Sequence, residues 1–306
     1  MLHASVRPLL ALLLCAAPFA PVVSAQTIPM LARLDGLQEV PANLSPATGL
    51  GFCAFDLATS TLTYREVYQN LSAGETAAHI HGFSGPGVNS GVQHAQALGA
   101  LKCGAWAVPL AQQAAVLAGN SYFNVHSTAF PGGEIRGQID TFPNQPTFCY
   151  GDGSGTACPC VNNSAAGDNE GCLHAPGIGG RLVGYGIPGL PLSISNDRFV
   201  LHALRLPAST FVLFFQGTAP MAGGAGIQFG NGLLCVTGTI TRLAIKATCN
   251  GQAGLPEPGD LPISVSGGVT PGSYYYQGWY RTFPAFCTAI LQNFNTTNGV
   301  MVQWGP

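Results

Sequence analysis

Short runs of alternating apolar and polar residues, each cut off by glycine, proline or asparagine, recur along this chain, and they restrict the fold more than any other feature. Gly51-Phe-Cys-Ala-Phe-Asp56 and Thr61-Leu-Thr-Tyr-Arg-Glu-Val-Tyr68 carry the period of two that sends successive side chains to opposite faces of a strand. Their β-branched and aromatic residues suit a pleated, half-buried surface. Segments 77–81, 106–110, 121–126 and 134–139 read the same way, with turns at 56–60, 82–91 and 131–133 between them. Only 111–118 has the composition of a short helix. Many short strands joined by Gly/Pro turns predict an antiparallel sandwich or barrel.

The pattern breaks at Thr141-Phe-Pro-Asn-Gln-Pro-Thr147, a linker by its two prolines, and then at a glycine- and cysteine-rich stretch that runs to Glu170-Gly-Cys172. That stretch is too poor in apolar residues to fold without cross-links. Strand patterns resume at 190–194, 199–206, 210–216, 233–237, 241–247, 273–280 and 300–304. At the other end, Arg7, the apolar run 9–17 and Val23-Ser-Ala25 have the layout of a secretory leader cut before Gln26. A lipoprotein cut at Cys15 is disfavoured by Leu14, where a small residue is wanted. About 280 residues remain, more than one ordinary domain of roughly 100–150 residues. The expected fold is all-β: two tandem antiparallel β-sandwich domains, stabilised by disulfides. Its parts are a signal peptide (1–25), a first β-sandwich (26–140), a linker (141–147) and a second β-sandwich (148–306). No later run is long and apolar enough to span a bilayer.

Nine cysteines follow the leader: Cys53, Cys103, Cys149, Cys158, Cys160, Cys172, Cys235, Cys249 and Cys287. In an exported chain they are disulfide candidates by default, and an odd count leaves one over. Two of them precede residue 141, so Cys53–Cys103 is the expected bridge of the first half, and one cysteine of the second half is expected to stay unpaired. Cys158-Pro-Cys160 lacks the spacing of zinc modules and of Cys-x-x-Cys redox sites.

Charged residues make up only 8% of the chain and its net charge is −2, which gives no electrostatic footprint for nucleic acid or an anionic membrane. No nucleophile elbow, phosphate loop or dinucleotide fingerprint appears. The candidate chemistry lies in His79-Ile-His81. On a strand these imidazoles share a face about 6.5–7 Å apart, and His126 from a neighbouring strand would complete a three-imidazole site for zinc or copper. The bland alternative is a pair of imidazoles that hydrogen-bond the backbone of the following turn. His94 is a weaker fourth ligand. Glu134 and Arg136 are expected on one strand face as an ion pair or as polar support near the histidines, and Glu39 is the other acid able to close on this region.

Leu34-Asp-Gly-Leu-Gln-Glu-Val-Pro41, Ala47-Thr-Gly49, Thr61-Leu-Thr-Tyr64, Thr76-Ala-Ala-His-Ile-His-Gly82, Gly119, Asn124-Val-His126 and Phe130-Pro-Gly-Gly-Glu-Ile-Arg-Gly-Gln138 together resemble a CHRD domain, the chordin-type module also found in secreted bacterial proteins. The resemblance covers nearly all of 34–140 and implies an extracellular all-β module without established chemistry. Phe148-Cys-Tyr-Gly-Asp-Gly-Ser-Gly155, Cys158-Pro-Cys160, Glu170-Gly-Cys172, Phe229-Gly-Asn-Gly-Leu-Leu-Cys235 and Tyr276-Gln-Gly-Trp-Tyr-Arg281 resemble a cysteine-rich C-terminal module of secreted proteins from planctomycete-like bacteria. Cys249 falls outside that pattern and is the unpaired candidate. A looser likeness to Cu/Zn superoxide dismutase rests on the His-x-His strand. With only His79, His81, His94 and His126 in the region, it implies a mononuclear rather than a dinuclear site.

The leading expectation is a secreted, non-enzymatic binding or adhesion protein that contacts extracellular protein or glycan and needs no cofactor. The rivals are a copper- or zinc-binding protein that uses His79, His81 and His126, and a structural cell-envelope component.

Overall fold

The computed structural model describes residues 27–187, 189–283 and 292–306; the leader and Cys287 lie outside them. Eight strands of the first half form one antiparallel sheet: β1 (Thr27–Asp35), β2 (Thr48–Asp56), β3 (Thr61–Gln69), β4 (Glu75–Gly82), β5 (Val92–Ala95), β6 (Leu101–Ala107), β7 (Ser121–Ser127) and β8 (Ile135–Ile139). Their spatial order is β5-β4-β7-β8-β1-β2-β3-β6. The sheet rolls until its two edges face each other through side chains. Tyr64 Oη of β3 lies 3.1 Å from His94 Nε2 of β5, Gln96 Nε2 donates to Glu66 Oε2 at 2.7 Å, and Lys102 of β6 pairs with Glu75 of β4.

Alternation explains which residues fill the roll. Met30, Ala32 and Leu34 of β1, Cys53 and Phe55 of β2, Leu62 and Tyr64 of β3, and Phe123 and Val125 of β7 point inward to one core. The intervening residues on β1 and β2 are largely apolar as well, because their outer face is also covered. Leu31, Leu50, Phe52 and Ala54 pack against Val183, Tyr185, Val200 and Leu204 of the second half. Full burial of such side chains contributes roughly 1.5–3 kcal/mol each.

In the second half, strands Arg181–Tyr185, Val200–Leu204 and Ala253–Leu255 form a three-stranded antiparallel sheet. It is sandwiched between the first half and a larger sheet built chiefly from Phe211–Gly217, Thr241–Ala247, Gly272–Arg281 and Gly299–Gly305. Leu201 and Ala203 face that larger sheet, while Val200 and Leu204 face the first half. Burial on both sides accounts for the unbroken apolar character of Val200-Leu-His-Ala-Leu204.

The cysteine-rich stretch covers the outer face of the large sheet, held by Cys149–Cys235 and Cys158–Cys172; Cys160 is also disulfide-bonded. The expected Cys53–Cys103 bridge is absent. Cys103 bonds Cys249 instead, so Cys249 is not the unpaired residue, and Cys53 is the free, buried thiol among the described residues. Strand parity is the reason. Cys53 pairs across β2–β3 with Tyr64, which points inward, whereas Cys103 pairs across β3–β6 with Arg65, which points outward to Glu257 of the second half. The two sulfurs therefore occupy opposite faces of the sheet. No described helix is long and apolar enough to cross a membrane.

Candidate functional site

β4 and β7 are adjacent, with His79 opposite Asn124, His81 opposite Tyr122 and Ala77 opposite His126. Ala78, Ile80, Phe123 and Val125 are the core residues of these strands, so the intervening positions, among them all three histidines, emerge together on the outer face. One nitrogen from each of His79, His81 and His126 lies within 4.8 Å of the other two. His79 Nδ1 and His126 Nε2 are 3.3 Å apart.

Backbone carbonyls fix which nitrogen faces inward in two of the three rings. His81 Nδ1 donates to Ser90 O at 2.8 Å and His126 Nδ1 donates to Pro131 O at 3.0 Å, so each of these rings turns its Nε2 to the cluster, that of His126 beside His79 Nδ1. His81 Nε2 is buried and has no hydrogen-bond partner among the described residues. Burial, then the neighbouring imidazoles, hold the His79 pKa below the ordinary imidazole value. Burial also lowers that of His81, against the hydrogen bond to Ser90. At His79 and His81 these shifts favour the neutral imidazole, the form that binds a metal.

A stack stands behind it. His81 lies flat on Tyr122 with ring centroids 4.9 Å apart, and the Arg136 guanidinium sits 3.5 Å over the other face of Tyr122. Arg136 donates to Val88 O at 3.1 Å and Asn89 Oδ1 at 3.3 Å, while Gln138 Nε2 donates to Ser84 O at 3.0 Å. These bonds pin the 83–91 loop, and Ser90 N completes the frame by donating to Tyr122 Oη at 3.1 Å.

Glu134 and Arg136 do not form the expected ion pair. Glu134 precedes β8 and turns away from the stack, accepting from Ser45 Oγ and Ser72 N at 2.6 Å each. Burial raises its pKa, and hydrogen bonds from Ser127, Ser45 and Ser72 together bring it below the usual carboxylate value. Glu39 does close on this region, accepting from Asn124 Nδ2 at 3.0 and 3.1 Å. Burial pushes its pKa up to about 7 against the opposing pull of Asn124 and Arg136. His94 pairs with Ile80 across β4–β5 and turns to Tyr64, so it lies on the wrong face to be a fourth ligand. Tyr122 is the participant that sequence reading passed over. Its place two and four residues before Asn124 and His126 was the available signal.

Residues 30–139, which carry all three histidines and the stack behind them, match the family model of the CHRD domain. No curated protein matches the chain.

Proposed function

We propose that this chain is an extracellular, non-enzymatic binding protein whose first half holds one zinc or copper ion on His79, His81 and His126. The observation that carries this reading is the convergence of three imidazole nitrogens within 4.8 Å, with His81 Nε2 buried and unpartnered among the described residues. A buried acceptor without a donor costs about 1–3 kcal/mol, and a bound ion removes that cost. Three imidazoles without a carboxylate suit zinc or copper, whereas calcium and magnesium seek oxygen ligands. The backbone carbonyls behind His81 and His126 are the outer partners that metal-bound imidazoles use. Three protein ligands leave one position for a water or a donor from a partner. Export is supported by the disulfides, which persist in oxidising compartments, and by the CHRD match.

Titration calorimetry on exported protein, stripped of metal and then given zinc or copper, tests the proposal. One equivalent is expected to bind. His79→Ala and His126→Ala should each weaken binding by at least about 100-fold, more than the loss of an outer partner would, and His94→Ala should leave it unchanged. Failure of the wild-type chain to bind, or equal binding by the two site variants, would overturn the assignment.

A further inference from the structure

A second candidate site lies between the halves, away from the histidines. Here the start of β1, the connecting segment at Phe142 and Asn144, residues 166–169 with the acid Asp168, which has an interaction of its own, and Arg181 and Arg205 enclose a cleft of about 440 Å³. That volume falls in the usual range for small-molecule sites, roughly 300–1,000 Å³. Its two basic residues differ. Arg205 is already matched: Nε pairs with Glu170 Oε2 at 2.7 Å, and its other nitrogens donate to Gly177 O and Thr27 Oγ1. Arg181 donates one bond, from Nη1 to Thr27 O at 3.2 Å, and has no ion-pair partner among the described residues.

Two buried polar atoms on this lining have no hydrogen-bond partner among the described residues, Arg181 Nε and Asn144 Oδ1. One is a donor on a guanidinium that no carboxylate reaches within ion-pair distance among the described residues, although Glu170 lies near enough to favour its charge, and the other is an acceptor. Phe142, 37% exposed, meets Tyr185 edge-on. The lining thus offers a cation, an amide acceptor and an aromatic surface in one cleft.

The geometry points to this cleft as a binding site for an acidic saccharide, with a uronate carboxylate on Arg181, a sugar hydroxyl donating to Asn144 Oδ1, and the apolar face of the pyranose ring against Phe142. A free carboxylate or sulfate would satisfy Arg181 alone, and a neutral sugar would leave its charge unmatched. Both chemistries are needed to use all three groups. The site draws on both halves, and their relative position is fixed by the buried interface and by Cys103–Cys249.

Calorimetric or NMR titration of the exported protein with a short oligouronate, a neutral oligosaccharide of equal length, sodium acetate and sodium sulfate tests the assignment. The oligouronate is expected to bind at least about tenfold more tightly than the other three. Arg181→Gln and Asn144→Ala should each lose about tenfold or more in affinity, as expected when one partner of a charge-assisted or buried hydrogen bond is removed. Asn144→Ala, in the connecting segment, gives a second readout should Arg181→Gln disturb its strand. His79→Ala should bind the oligouronate like the wild type, which separates this site from the metal site. Absence of binding, equal binding of the neutral sugar or of sulfate, or unchanged affinity in both variants would overturn the proposal.

Discussion

Two histidines of the proposed site, His81 and His126, are each held by a different backbone carbonyl, and such neighbours decide whether three imidazoles can act as a metal site. Without the Ser90 carbonyl, His81 would be free to turn its protonated nitrogen inward. That carbonyl stays in place because Arg136 grips the 83–91 loop and clamps Tyr122 against the His81 ring. Arg136→Met, which keeps the length of the side chain but removes the guanidinium, is therefore expected to weaken zinc or copper binding by about 10–100-fold, the usual effect of losing an outer partner. All three ligands remain in that variant, so calorimetry should still return one equivalent; unchanged affinity would show that Arg136 does not position the site. The three histidines of the proposed site were legible in the sequence, because strand period puts His79 and His81 on one face and His126 on a strand that could reach them. Their carbonyl partners were not. Ser90 and Pro131 act through backbone atoms on turns, and where a turn comes to rest depends on contacts from distant segments. The cysteines show the same limit: counting them by half paired Cys53 with Cys103, whereas facing direction pairs Cys103 with Cys249.

At the scale of elements, alternation located most strands, and both-sided burial hid others. Thr241–Ala247 was read to the residue, and Gly272–Arg281 and Gly299–Gly305 to within one at each end. All of β1, β5, Arg181–Tyr185 and Ala253–Leu255 were missed, and β6, Leu101–Ala107, was read as 106–110, which overlaps it by two residues. β1 and Arg181–Tyr185 are apolar on two faces and show no clean period of two, and three residues are too few to show a period. Ala253–Leu255 also contains Gly254, which lowers strand propensity yet has a packing reason to be there. A Cβ on Gly254 would sit 1.9 Å from Cζ of Phe52, the β2 side chain that presses on the middle sheet. Gly254→Ala is accordingly expected to cost about 1–3 kcal/mol through overpacking, read as a lower denaturant midpoint with an unchanged slope. Gly74→Ala, where a Cβ would meet nothing within 4 Å, is the control and should stay within about 0.5 kcal/mol of wild type. Equal effects at the two glycines would mean that the Phe52 contact does not set the spacing of these layers.

For the whole molecule, the middle sheet joins the two halves into one body, and a buried histidine sits at the join. His202 has no exposure to solvent. Tyr185 Oη lies 2.9 Å from its Nδ1 and Gln252 Oε1 lies 2.9 Å from its Nε2. Gln252 in turn donates to Thr63 Oγ1 of β3 at 3.0 Å, and the His202 ring packs on Phe52 of β2. Burial lowers the His202 pKa to about 3, with Arg181 adding to the shift and the Gln252 hydrogen bond opposing it. In the unfolded chain the same imidazole takes up a proton near its ordinary value of about 6.5. Between these values the unfolded state holds the extra proton, so the contribution of His202 to stability is present above pH 6.5 and is lost as the pH falls towards 3. The limiting slope is about 1.4 kcal/mol per pH unit. Glu39, Glu66 and Glu170, each raised to about 7 chiefly by burial, act in the opposite direction: the folded state takes up their protons first as the pH falls from 7, which favours folding. The pH profile of the wild type therefore mixes both signs, and only a difference isolates His202. His202→Gln keeps hydrogen-bonding capacity and removes the titration. It is expected to be less stable than wild type at pH 7, with the gap narrowing by on the order of 1 kcal/mol per unit as the pH is lowered through 6 and 5. Chemical denaturation of both proteins at a series of pH values measures that gap directly. A gap that stayed constant across the series would mean that water reaches His202 and that the join between the halves is open to solvent.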